Sequence, residues 1–182
     1  MHRETDVLDG QLISHTAKPQ NVRVAGRADE EPLMDMLREG YTENGLFSFS
    51  EPRVRKMLAR GLHGKPLNDG GGLIVGVIDG DGEFAGSIGI LFEQYWYSEE
   101  CSLTELWSFV RKPYRNSSYA LDLIEFGKWA ADTMGLSFGM GVMSTKRTEA
   151  KLRLYKRKLT PIGGYFMWGM NRNHGPLGRE AV

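Results

Sequence analysis

The sequence predicts a mixed α/β domain. Three observations carry this expectation: successive apolar runs in mid-chain divided by turn signals, a strongly amphipathic helical stretch after them, and a further alternation of short apolar run and basic helical stretch. The expected order is strand, two helices, three strands, helix, strand, helix, strand, with no internal repeat.

Residues 1–20 mix polar and apolar types without period and read as a flexible arm before a domain over 21–170. Val22 and Val24 around Arg23 predict a short strand. Leu33, Met34, Met36 and Leu37 predict a helix over 27–39, with Asp29, Glu30 and Glu31 favouring its positive N-terminal end. Val54, Met57 and Leu58 predict a second helix over 51–62, with Pro52 where its missing N–H is harmless. Asn68 to Gly72 signals a turn, and Leu73 to Ile78 a strand. Asp79-Gly80-Asp81-Gly82 signals a tight hairpin into a strand over 83–92. A third strand covers 102–110, a helix 117–134, a strand 137–143, a basic helix 145–158 and a last strand 165–170. Residues 171–182, with Gly175, Pro176 and Gly178, read as a loose tail.

Composition narrows the function classes. Hydrophobic residues make up 41% and charged residues 25%, as in soluble globular proteins. Lys plus Arg is 23 and Asp plus Glu is 23, so no charge excess points to nucleic acid. Cys101 is the single cysteine, and the four histidines show no metal-ligand spacing. No apolar run of membrane-spanning length occurs, and the first 14 residues have no secretion-signal core. A cytoplasmic protein without a metal is expected.

One loop suggests chemistry. Val110 ends a strand, Arg111-Lys112-Pro113-Tyr114 turns, and Arg115-Asn116-Ser117-Ser118-Tyr119-Ala120 opens the helix over 117–134. The first N–H groups of a helix lack internal partners and attract anions, so small residues there suit a pyrophosphate, with Arg115 as a charged fork. The same residues suit an ordinary N-cap by Ser117 or Ser118.

With Val110, Pro113, Tyr114, Arg115, Ser118 and Ala120 in register, and Leu154-Tyr155 on a later helix, residues 73–170 resemble the GNAT acetyltransferase superfamily. Ser118 stands where that family usually has glycine, and Thr148, Leu159 and Thr160 depart from its closing pattern. The resemblance implies a mostly antiparallel mixed sheet flanked by helices, with the strand ending at Val110 splayed from the strand at 137–143. It implies acetyl-CoA as co-substrate, its pantetheine arm bonded to backbone at Phe109, Val110 and Arg111 and its pyrophosphate on residues 115–120. It implies direct attack by an amine on the thioester, with Tyr155 as general acid. The acceptor would be a small molecule, peptide or protein amine, and a homodimer is compatible with it.

Glu105 is the candidate base, because a carboxylate inside a strand must face a cleft or find a partner. A water relay and Glu93 are alternatives. Tyr95, Trp96, Tyr97 and Trp107 suit an acceptor cleft or simple packing. Lys146, Arg147, Lys151, Arg153, Lys156, Arg157 and Lys158 form a basic helix, most of it a solvated face. A member of the same fold that binds acyl-CoA or a partner without turnover is the alternative function, and a longer acyl chain a third.

Overall fold

The computed structural model describes residues 16–64 and 72–167. Its strands are β1 (Arg23–Val24), β2 (Leu73–Asp79), β3 (Phe84–Gln94), β4 (Cys101–Val110) and β5 (Ser137–Gly139). Its helices are α1 (Glu30–Asn44), α2 (Glu51–Leu62), α3 (Tyr119–Met134) and α4 (Thr148–Lys156). The five strands form one sheet in the order β1-β2-β3-β4-β5, antiparallel except for the β4–β5 pair.

Each face of the sheet has its own core. On one face α1 and α2 bury Leu33, Met34, Met36, Leu37 and Leu58 against Val75, Val77, Trp107 and Phe109. On the other, α3 buries Leu123, Ile124 and Phe126 against Ile88, Ile90 and Leu103. The helical period of α3 and the two-residue period of the strands thus meet as their sequence patterns require. Gly127 presses against the Phe138 ring so closely that a Cβ would overlap it, which brings α3 onto β5. Gly135 ends α3 in a left-handed conformation (φ 66°), and Leu136 N–H bonds back to Ala131 C=O at 2.9 Å.

Three expectations changed. The first helix starts at Glu30 after a short 3-10 turn, and it passes Gly40 to reach Asn44. Gly40 continues it because the missing side chain admits the Phe109 ring, 3.2 Å from where a Cβ would stand. The strand expected over 137–143 stops at Gly139. Beyond it the Gly141 N–H bonds the Glu105 carboxylate at 3.2 Å instead of a β4 carbonyl. Residues 165–167, expected to begin the last strand, pair with no strand, and Phe166 is fully exposed; residues 168–170 lie outside the described residues, as do residues 1–15 of the expected arm, residues 68–71 of the expected turn and the tail at 171–182. Thr16 bonds Asp132, and the Lys18 ammonium lies 5.5 Å from the Trp129 ring centre, so the described end of the expected arm rests on α3. Among the described residues no helix is long and apolar enough to cross a membrane.

Candidate active site

The site is built around a defect in β4. Gly89 of β3 faces Trp107, and Ile90 faces Glu105, so Leu106 is an extra residue on β4. Such a bulge bends the strand and re-aims its side chains. β5 pairs with β4 only from Ser102 to Thr104. From Glu105 onward the two strands part, and among the described residues no strand pairs with that edge of β4, which is open.

Backbone polarity along that edge follows from one bond. Arg111 N–H donates to Ala85 C=O on β3 at 2.9 Å. Alternation then turns the main-chain groups of Phe109 toward β3 and those of Ser108 and Val110 toward the gap. Of the three expected arm-binding positions, Val110 faces the gap. Phe109 pairs with Ser87 of β3, the Arg111 N–H is held by Ala85 and its C=O by Tyr114 N–H at 3.0 Å, so Ser108 is the other position whose main chain faces the gap. The side chains of Phe109 and Arg111 are structural: Phe109 packs beneath Gly40, and the buried Arg111 guanidinium bonds Glu39 (2.7 Å), Glu83 (2.8 Å) and Phe84 C=O (3.1 Å).

The expected phosphate loop follows directly. Ser117 N–H and Oγ both bond Tyr114 C=O, and Tyr119 N–H bonds Ser117 Oγ at 3.1 Å. Leu121 and Asp122 N–H bond Ser118 C=O. Among the described residues no protein acceptor meets the N–H groups of Asn116, Ser118 and Ala120. Ser118 has φ −76°, ordinary for any residue, so serine in place of glycine strains nothing here. Its hydroxyl donates to Asp122, at 3.0 Å. The Arg115 guanidinium does not extend over the loop: Nε donates to Val110 C=O at 2.9 Å, and Nη2 pairs with Glu43 of α1 at 2.6 Å.

Across the gap stand Glu105 of β4 and Tyr155 of α4. Burial pushes the Glu105 carboxyl up to about 7, opposed by the Gly141 N–H and the Lys151 ammonium. Burial and then the Glu105 charge raise the Tyr155 phenol well above its ordinary value, with the Ser108 hydroxyl acting against them. Burial also raises the Tyr41 phenol, with Glu105 as second cause, so Tyr41 flanks the same carboxylate from α1. Lys151 is lowered by burial although Glu105 and Glu43 favour its charge. Glu93 sits on β3, across β4 from the gap and opposite Ser102, so of these two carboxylates Glu105 is the one beside the gap.

The remaining expected residues separate. Trp107 is buried with Nε1 donating to Ser87 Oγ at 3.0 Å, while Tyr95, Trp96 and Tyr97 are exposed beyond β3. On α4, Lys151 is half-buried and Arg153 and Lys156 are exposed, as are Arg157 and Lys158 after it. Tyr41, Glu43 and Ser108 are not singled out in the sequence, and Lys151 enters there only as one of seven residues of a basic helix. Their partners are distant in sequence, and only the parity of β4 gave a usable signal, for Ser108. Among the described residues no group of three His, Cys, Asp or Glu side chains is placed to hold a metal.

The fold recurs in solved structures. No protein-family model matches the chain, and no curated protein matches it in sequence. An integron cassette protein from the mobile metagenome of Cole Harbour Salt Marsh superposes with a TM-score of 0.65 at 17% identity, covering 88% of this chain and 94% of its own. Ribosomal-protein-alanine N-acetyltransferase from Brucella melitensis biovar Abortus 2308 superposes with a TM-score of 0.61 at 11% identity, covering 81% and 96%. AAC(6')-Iy in complex with the bisubstrate analogue CoA-S-monomethyl-acetylneamine gives 0.60 at 12% identity, covering 81% and 95%. The fold is that of the GNAT acetyltransferases. In this GNAT fold, the splay implied by the resemblance corresponds to the parting of β4 and β5 at Glu105.

Proposed function

We propose that this chain is an acetyl-CoA-dependent N-acetyltransferase. The observation that carries the reading is the pairing of a carboxyl raised to about 7 and a protonated phenol beside an open strand edge. Acetyl-CoA fits on two features: the main-chain groups of Ser108 and Val110 that face the gap along β4, of which Val110 C=O is covered by Arg115, and the N–H groups at residues 116, 118 and 120, which meet no acceptor among the described residues. Bound there, it supplies an acetyl group on a thioester.

Glu105, half charged near neutrality, takes the proton that the acceptor nitrogen must lose as it bonds the acetyl carbon. Tyr155 keeps its proton over the working range and delivers it to the sulfur as the carbon–sulfur bond breaks. The N–H groups on the β4 edge are the donors for the arm's carbonyl oxygens. The acceptor side is α1 at Tyr41, and the acceptor is an amine on a small molecule, peptide or protein. A small polyamine is supported by the fold neighbour bound to an acetylneamine analogue. The reading includes a soluble, cytoplasmic enzyme that needs no metal, with residues 21–170 as its catalytic domain.

Calorimetric titration with acetyl-CoA, paired with thiol release across a panel of amines, tests this. Binding with release on at least one amine is expected. Tight binding without release across the panel would favour the non-catalytic reading, and absence of binding would overturn both.

A further inference from the structure

Two ion pairs join α1 to the end of β4, and both partners step by four residues. Glu39 pairs with Arg111 at 2.7 Å and Glu43 with Arg115 at 2.6 Å. The first pair is an anchor, because Arg111 is buried and also bonds Glu83 and Phe84 C=O. The second pair has no such extra support from β3. Its arginine reaches across the open edge, donates to Val110 C=O at 2.9 Å and lies 5.5 Å from the Phe109 ring centre. It therefore covers one of the main-chain groups that the pantetheine arm would use. It also faces away from the loop it was expected to serve. The side chains of Glu43 and Arg115 are 25% and 17% exposed, so the pair is close enough to solvent to open and shielded enough to matter.

We propose that Glu43 holds Arg115 as a latch across the open edge of β4, and that the coenzyme's pyrophosphate must displace Glu43 from the guanidinium to bind. The inference rests on the coenzyme site proposed above. The two anions compete for one fork, since phosphate and carboxylate suit the guanidinium in the same bidentate way. When Arg115 turns to phosphate, Val110 C=O becomes available to the arm, so one movement completes both halves of the site. Lys146 and Lys151 lie near Glu43 and take up its charge once Arg115 has left. Glu43 is then a specificity element: it sets a threshold that a phosphate-bearing ligand passes and a bare pantetheine thioester does not.

Glu43→Gln removes the competing charge while keeping the shape. Calorimetry with CoA should show a Kd about three- to tenfold lower than wild type, the scale of the net contribution of one ordinary hydrogen bond, as suits a pair partly exposed to solvent. S-acetyl-pantetheine, which has no pyrophosphate, should gain less. In the ligand-free wild type the Arg115 Nε–H should be a protected signal by NMR, and it should lose protection in Glu43→Gln. An unchanged or raised Kd for CoA in a Glu43→Gln protein with wild-type melting would overturn the latch and make Arg115 a structural residue. A gain of the same size with S-acetyl-pantetheine would overturn it too. If wild type binds no CoA, the coenzyme site itself fails, and a protected Arg115 signal would then mark an ordinary ion pair.

Discussion

At the scale of residues, Glu105 links stability and activity in opposite senses. Its carboxyl is raised to about 7 by burial, against an unfolded value of about 4.3. The folded protein therefore holds this proton more tightly than the unfolded chain, and stability falls as pH rises from about 4 to 7. As a base the group is active when deprotonated, so kcat/KM should rise with pH and level off above about 7. Glu105→Gln should abolish that limb and lower kcat about 100-fold or more. The same variant should melt higher than wild type at pH 8, by on the order of 2 kcal/mol, and close to wild type at pH 4. Equal melting at both pH values would show that the carboxylate is well solvated. Tyr155→Phe should lower turnover about tenfold or more with CoA affinity kept, because the phenol holds its proton across the accessible range. Glu105 was legible in the sequence because a carboxylate inside a strand asks for an explanation. Glu43 was not, because its meaning depends on Arg115, 72 positions away.

At the scale of elements, the bulge in β4 is what converts a sheet into a site. Gly89 stands opposite Trp107, and a Cβ there would overlap the indole ring. Trp107 in turn is fixed by its bond to Ser87 Oγ. Gly89→Ala should push Trp107 out of this position and cost about 1–3 kcal/mol, read as a lower Tm. Turnover should fall as well, since Glu105 is the second residue along from Trp107. Wild-type turnover in a destabilised Gly89→Ala would separate the bulge from catalysis. Most strands and helices were legible from turn signals and apolar periods, which are local. The bulge was not, because Leu106 is extra only relative to β3. The early end of β5 was not either: the side chain of Glu105, not a β-ladder, decides where the Gly141 N–H goes.

At the scale of the whole molecule, the gap is surrounded by elements that the sheet alone does not fix. Asn44 at the end of α1 accepts from Thr145 N–H at 3.1 Å, and Lys158 after α4 reaches Glu125 of α3 at 3.6 Å. These ties close a ring of α1, the loop after β5, α4 and α3 around the open edge. No sequence period encodes them, and the implied family supplied only the expectation of a splay. A ligand that contacts several parts of the ring should stabilise all of it. Acetyl-CoA at 100 times its Kd should add about 2.7 kcal/mol to the folded state. For a domain of this size that corresponds to a rise in Tm of roughly 5–10 °C. Adenosine 3',5'-bisphosphate, which carries the nucleotide but no arm, should give a clearly smaller rise at equal concentration. It can meet the loop at residues 115–120 but cannot span β4 and α4. Equal rises from the two ligands would mean that the loop alone binds and that the gap between β4 and β5 is not the path of the arm.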